Sequence, residues 1–98
     1  MEKLLIYIVS YQRKSYTQGT IKCISKVKPI NSQIIVCDNG STDGTREWLE
    51  DNQEKYELGL LFPEKNLRVP GAWELITKYF SENDFDYVLP LDNDCWIL

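Results

Sequence analysis

Two aspartates near the carboxyl end of the sequence are spaced so that they could hold a metal ion together. Asp92 and Asp94 flank Asn93 and follow the segment YVLPL. Residues i and i+2 of an extended segment point to the same side, about 6.6 Å apart along the backbone. Carboxylate oxygens suit Mg²⁺ or Mn²⁺, and Mg²⁺ sites often combine one or two carboxylates with substrate phosphates. The spacing therefore predicts a divalent-metal site, although an isolated Asp-x-Asp also fits a solvated turn.

The apolar pattern places this aspartate pair at the end of the fourth strand of an α/β domain. The segments KLLIYIV, SQIIVCD, LGLLF and DYVLPL are predicted strands, and residues 15–28 and 70–80 are predicted helices. Residues 41–56 are predicted to hold hydroxyl and Asp caps followed by a helix. Ser15 and Gln18 have the spacing of a capping box for the first helix. The order βαβαβαβ indicates right-handed crossovers and a mainly parallel sheet with helices on both faces. The expected architecture is a Rossmann-like, three-layer α/β/α domain.

Polar residues follow three of the four predicted strands. The first strand is followed by SYQR, the second by DNGS, and the fourth by DND. In parallel α/β sheets, ligands bind beyond the carboxyl ends of the strands. On its own, DNGSTDG favours turn and helix-cap chemistry, because Asn, Asp, Gly and Ser end strands for conformational reasons. In combination with DND, it indicates a ligand site at this edge of the sheet.

Composition narrows the classes of function. The chain has 98 residues, 43% hydrophobic content and a net charge of −4, and its lysines and arginines are scattered, which argues against a general nucleic-acid binder. The absence of histidine excludes histidine-based catalysis and metal ligation. Three cysteines without C-x-x-C spacing fit a reducing cytoplasm. The first apolar run is too short to span a bilayer, so no membrane segment is expected.

Three motifs in this order resemble the inverting glycosyltransferases of family 2, which have the GT-A fold and use nucleotide-diphospho-sugars. YIVSYQRKSY is similar to the family's first strand and Tyr-Asn-Arg loop, QIIVCDNGSTDGT to its second strand and acidic turn, and YVLPLDND to its Asp-x-Asp strand. The resemblance implies strand order 3-2-1-4 and one partial nucleotide-sugar-binding domain over residues 1–98. Receiver domains and haloacid-dehalogenase-like phosphatases fit less well, because they need acidic residues after the first strand.

The resemblance also implies roles for individual residues. Ser10 and Tyr11 would contact the nucleotide base, and Asp38 would accept a hydrogen bond from it. Asp92 would reach the ribose or the metal, and Asp94 would hold a divalent cation, Mn²⁺ or Mg²⁺, on the diphosphate. The expected donor is a UDP-sugar. Tyr11 is equally compatible with a role as a packing aromatic.

The third loop departs from the family pattern. The family pattern in this loop is similar to Asn-x-Gly-x-x-Gly. This chain has NLRVPGAWE instead, with Arg68 at a glycine position and Trp73 where Asn is common. Arg68 could pair with a phosphate or could be a solvated loop cation. Gly71 keeps its place and is counted with the nucleotide-binding residues. In the first loop, Gln12 replaces the usual Asn.

Family members continue for at least as many residues again, and that part supplies the acceptor site and the carboxylate general base. We therefore expect a donor-binding half that contains no catalytic residue of its own, with an exposed fourth-strand edge prone to self-association. Three functions stay open: a fragment of a metal-dependent transferase, a nucleotide- and metal-binding module without turnover, and a partial domain that only folds and oligomerises. Retention of Asp38, Asp92 and Asp94 argues against decay.

Overall fold

A computed structural model describes residues 3–64, 66 and 68–92 of the chain. Four strands alternate with helices along the sequence. The strands are β1 (Leu4–Ser10), β2 (Ser32–Asp38), β3 (Leu58–Leu61) and β4 (Tyr87–Asp92). The helices are α1 (Lys14–Val27), α2 (Thr45–Asp51), α3 (Gln53–Tyr56) and α4 (Arg68–Glu82).

The four strands form one parallel sheet in the order β3-β2-β1-β4. This confirms the predicted strand order and places the first strand in the interior of the sheet. In the register, Ser10 lies opposite Asp38, and Val9 lies opposite Asp92. The carboxyl ends of β1, β2 and β4 are therefore nearly level, so the loops that follow them meet at one edge.

Side chains of β1 alternate between two apolar clusters, one on each face of the sheet. Ile6 and Ile8 belong to the cluster that includes residues of α1 and α2, such as Ile21 and Leu49. The neighbouring β1 side chains Leu5 and Tyr7 belong to the cluster that includes Ala72 and Ile76 of α4. Burial on both faces explains why the strand is apolar along almost its whole length. The predicted three-layer arrangement is confirmed.

The predicted capping box of the first helix is wrong. Helix α1 begins at Lys14, and its N-cap residue is Arg13, which makes no side-chain cap hydrogen bond. Ser15 therefore lies inside the first turn, and the Lys14 N–H instead donates to Asp43 Oδ2 at 3.0 Å. The N-terminus of α1 is therefore capped by Asp43, in the loop after β2, and not by Ser15 and Gln18 as the local pattern predicted.

The helix predicted after the caps in residues 41–56 is divided. Residues 41–44 precede the helix, as expected for cap residues, and Asn52 separates α2 from α3. The Asn52 side chain donates to the Trp48 carbonyl at 2.9 Å, and its backbone φ of −111° departs from helical values. Helix α4 begins before the predicted start, and Pro70 lies in its first turn, where a backbone N–H needs no helical partner.

Among the residues that the structure describes, no helix combines the length and apolar character needed to cross a membrane. Within the same residues, β4 pairs only with β1. Tyr87, Val88 and Leu89 on this strand are partly exposed. Self-association through β4 stays a prediction.

Candidate functional site

The loop after β2 is organised around the carboxylate of Asp38, which has no exposed surface. Its Oδ2 accepts hydrogen bonds from the Ser41 N–H at 2.9 Å and from Arg46 Nε at 2.8 Å. Its Oδ1 accepts from the Ser41 hydroxyl at 2.5 Å. A buried charge is tolerated only when it is paired and hydrogen-bonded. Asp38 therefore fixes the turn that follows it as well as the position of Arg46.

Arg46 connects the ends of two neighbouring strands. Its Nη2 donates to the Asp38 carbonyl at 2.8 Å and to the Pro63 carbonyl at 2.9 Å, just beyond β3. The guanidinium lies over the Phe62 ring, 4.8 Å from its centroid. The planar guanidinium of arginine carries several donors, so it can bond the carboxylate and both carbonyls at once. A lysine ammonium lacks this planar set of donors.

The loop after β1 is held by the loop after β2. The Gln12 N–H donates to Ser41 Oγ at 2.7 Å. The Gln12 side chain donates to Thr42 Oγ1 and accepts from the Thr42 N–H, both at 3.0 Å. Gln12 and Arg13 both have positive φ, 57° and 54°, which costs energy for residues other than glycine. The contacts to Ser41 and Thr42 stabilise this backbone conformation, so Gln12 has a structural role in holding the loop after β1.

Asp43 caps two helices from one loop. Its Oδ2 accepts from the Lys14 N–H, and its Oδ1 accepts from the N–H and hydroxyl of Thr45 at 3.2 and 2.5 Å. Partial burial raises the pKa of Asp43, but the hydrogen bonds from Thr45 and Lys14 lower it by more, so the net pKa lies below 3.8. The DNGSTDG segment therefore supplies a helix cap, Asp43, for both α1 and α2.

A cavity of about 670 Å³ opens at the carboxyl edge of the sheet. It lies between the loops after β1 and β2, the loop before α4, and the end of β4. Its described lining consists of strand residues at the base and loop or helix residues at the sides: Tyr7, Val9, Tyr11, Arg13, Asn39, Asn66, Arg68, Trp73, Pro90 and Leu91. Volumes of this size suit small-molecule ligands.

The cavity combines aromatic rings with positive charge. Tyr11 is 50% exposed and Trp73 is 37% exposed, so both offer ring surface to a ligand. Arg13 and Arg68 are the cationic residues of the described lining, which includes no Asp or Glu, and the Arg13 guanidinium lies over the Tyr16 ring, 5.7 Å from its centroid. Such a site favours a flat, anionic ligand, in contrast to the chain's net charge of −4.

Tyr7 and Cys37 form the buried layer beneath this cavity. The Tyr7 hydroxyl donates to the Ala72 carbonyl at 2.6 Å, and its ring meets Trp73 edge-on with centroids 6.0 Å apart. Burial raises the pKa of Tyr7 and that of the Cys37 thiol. Both groups therefore stay neutral, so Cys37 is a packing residue and not a reactive thiolate.

The site residues predicted from sequence fall into two groups. Tyr11 lines the cavity, whereas Ser10 and Asp38 are completely buried behind it. The Ser10 hydroxyl lies 3.0 Å from Thr17 Oγ1, and both oxygens of Asp38 already accept hydrogen bonds. The proposed base contacts of Ser10, Tyr11 and Asp38 stay predictions.

The remaining predicted residues lie around α4 and β4. Gly71 is in the first turn of α4, next to the buried Ala72, and is not among the described lining residues. Asp92 is the last residue of β4, one position beyond the cavity-lining Leu91. Asp94 lies outside the described residues. Within the described part of the chain, no group of three or more His, Cys, Asp or Glu could hold a metal, so the metal assignment stays a prediction.

The sequence placed Arg13 and Asn39 among the polar residues that follow the first two strands, but assigned neither of them a role in binding. It did not assign Trp73 to the site. Trp73 was visible only as a departure from the family pattern. Its place in the cavity follows from its contact with Tyr7, which connects residues 66 positions apart along the chain and could not be read from local spacing.

The family model for glycosyl transferase family 2 matches residues 5–98. The chain belongs to glycosyl transferase family 2. A search among curated proteins gave no match. The family assignment agrees with the strand order and with the polar loops at the carboxyl edge of the sheet.

Solved structures similar to this family 2 chain share its fold. TarS from S. aureus has 23% sequence identity over 97% of the chain with a TM-score of 0.78, and the match covers 17% of TarS. TarS 1-349 in complex with UDP-GlcNAc gives the same identity and TM-score, with 27% of that chain covered. Mannosyltransferase PcManGT from Pyrobaculum calidifontis, in complex with GDP-Man and Mn²⁺, has 17% identity over 96% of the chain, with 28% of its own length covered and a TM-score of 0.80. The chain thus spans less than a third of each of these proteins.

Replacing Arg46 with alanine should destabilise the protein by about 3 kcal/mol, because the buried Asp38 charge would lose its cationic partner. Arg46→Lys should have an intermediate effect, since it keeps the charge but loses the planar set of donors. Urea unfolding at pH 7 measures both. Lys22→Ala, which removes an exposed cation from α1, is the matched control and should stay within about 0.5 kcal/mol of the original protein. Equal stability of the Arg46→Ala and Lys22→Ala variants would contradict this account.

Asp43→Asn should reduce stability at pH 5 to 7 and lose this effect in acid. The folded-state pKa of Asp43 lies below the ordinary value of 3.8. Its charge therefore stabilises the fold fully above that value, and the contribution disappears as the pH falls through the lower folded value. Urea unfolding of both proteins across pH 2 to 7 tests this. A stability difference that does not depend on pH would show that the Asp43 charge is unimportant.

Proposed function

We propose that the protein binds a nucleotide-diphospho-sugar, of the UDP-sugar class, and takes part in inverting transfer of the sugar, a hexose, to an acceptor. The observation that carries this proposal is the cavity at the carboxyl edge of the sheet in a member of glycosyl transferase family 2. Its position is the one at which parallel α/β sheets bind ligands. The proposed location is the cytoplasm, on the sequence argument from cysteine usage.

The chemistry of the cavity supports a nucleotide. A nucleobase is flat and aromatic, and Tyr11 and Trp73 offer exposed ring surface for stacking. A diphosphate carries negative charge on several oxygens, and Arg13 and Arg68 offer guanidinium donors that match phosphate geometry. Asn39, also in the lining, is nearly buried, and its side-chain amide donates to the Arg68 carbonyl, so it would support the cavity wall.

The end of β4 is compatible with a divalent metal. Pro90 and Leu91 line the cavity, so the backbone of Asp92 follows at its border. Asp92 and Asp94 would supply hard oxygen ligands, and the donor phosphates would complete the shell, as is usual for Mg²⁺. When bound, Mn²⁺ or Mg²⁺ would neutralise the charge that develops on the departing diphosphate.

The protein's own residues would bind and orient the donor during transfer. As the bond between the sugar and the diphosphate breaks, its electron pair stays on the phosphate oxygen, where positive groups stabilise it. The arginines of the cavity would act at this point. We assign no general base for the acceptor hydroxyl to these 98 residues, so the proposal concerns donor binding and not turnover by this chain alone.

Calorimetric titration with UDP, with Mn²⁺ or with EDTA, tests the proposal. UDP should bind at least about tenfold more tightly with Mn²⁺, because Asp92 and Asp94 would hold the cation and its charge would offset that of the diphosphate. Asp94→Ala should lose this difference between the two conditions. Asp51→Ala, which removes an exposed carboxylate at the end of α2, is the matched control and should bind like the original protein.

Two outcomes would contradict the proposal in different ways. If the folded protein bound no UDP in either condition, the UDP-sugar assignment would fail. If UDP bound but Asp94→Ala kept the full effect of Mn²⁺, the metal site would be wrong and the nucleotide site would stand.

A further inference from the structure

Arg68 has an unusual backbone conformation at the edge of the cavity. Its φ is +60°, in the left-handed region that residues other than glycine seldom adopt. The family pattern places a glycine at this position, which agrees with the observed geometry. A glycine would adopt this conformation without a steric cost from Cβ. The chain therefore carries an arginine where its backbone favours glycine.

Two asparagines hold Arg68 in place through its backbone. The Arg68 N–H donates to Asn66 Oδ1 at 2.6 Å, and Asn39 Nδ2 donates to the Arg68 carbonyl at 3.4 Å. Asn39 directly follows β2, and its own N–H donates to the Ser10 carbonyl at 2.8 Å. The backbone of Arg68 is thus tied through Asn39 to the ends of both central strands, and Arg68 lies in the cavity wall.

Arg68 lies where an anion would be favoured. It lines the cavity together with Arg13, and among the side chains that the structure describes no carboxylate forms an ion pair with Arg68. Two cationic residues in the lining of one cavity give it a positive character, in contrast to the chain's net charge of −4. An anion bound there could accept hydrogen bonds from the Arg68 guanidinium.

We propose that Arg68 binds the diphosphate of the nucleotide donor and supplies part of the charge compensation that a metal alone would otherwise provide. This inference rests on the proposed function. It assigns to Arg68 a role in affinity for the phosphates and none in recognition of the base. It also implies that the protein retains measurable affinity for UDP in EDTA, and that this residual affinity depends on Arg68.

The test compares uridine, UMP and UDP as calorimetric ligands, in EDTA and in Mn²⁺. The variants are Arg68→Gly, Arg68→Lys and, as the matched control, Lys78→Ala, which removes an exposed cation elsewhere on α4. Arg68→Gly should weaken UDP binding about tenfold or more, the loss typical of a charged hydrogen bond, with the larger effect in EDTA. Affinity for uridine should not change. Arg68→Lys should be intermediate, and Lys78→Ala should bind UDP like the original protein.

A melting curve separates loss of binding from loss of folding. Glycine relieves the strain at φ +60°, so Arg68→Gly should melt at the same temperature as the original protein or higher. Weaker UDP binding by an equally stable variant would support the role in phosphate binding. An equal loss of affinity for uridine and UDP would overturn the phosphate-binding role, because Arg68 would then affect binding of the nucleoside part of the ligand.

The remaining outcomes separate this inference from the function on which it depends. If the original protein binds UDP and Arg68→Gly binds it equally well, Arg68 is a solvated loop cation and only this inference fails. If the original protein binds none of the three ligands, the proposed function fails and this inference fails with it.

Discussion

The buried ion pair between Asp38 and Arg46 organises the functional edge of the molecule. The Asp38 carboxylate has no exposed surface, so its charge must be paired, and Arg46 pairs it. Hydrogen bonds to the Asp38 and Pro63 carbonyls hold Arg46 in position. Through Arg46, the end of β2 is joined to the loop after β3. Through Ser41, which donates to the same carboxylate and accepts from Gln12, the end of β2 is also joined to the loop after β1. One buried charge therefore positions three loops.

This network accounts for the unfavourable backbone at the cavity. Five non-glycine residues in the described part of the chain have positive φ, and three of them, Gln12, Arg13 and Arg68, belong to the segments that border the cavity. Strained residues persist only where the surrounding contacts over-determine them. Here the contacts are specific: Ser41 and Thr42 hold Gln12, and Asn39 and Asn66 hold Arg68. The backbone of Arg68 is thereby held in place without a ligand.

The sequence predicted the architecture well because hydrophobic periodicity and strand order are strong signals. Strands buried on both faces appear as continuous apolar runs, and β1 and β2 were recognised in this way. The capping box failed because Asp43, which is distant along the chain from Lys14, caps α1 instead. The base contact of Asp38 stays a prediction. Its ion pair with Arg46, eight residues further on, was not foreseen, because neither residue type nor spacing indicated the pair.

If a nucleotide occupies the cavity bordered by these loops, amide chemical shifts recorded during UDP titration with Mg²⁺ should locate it there. We expect the largest shifts at Tyr11, Arg13, Asn39 and Arg68 and at the Trp73 indole. Residues at the opposite edge of the sheet, near Ile30 and Asn83, should not respond. Shifts confined to that opposite edge, or no shifts at saturating UDP in a folded protein, would show that this cavity is not the nucleotide site.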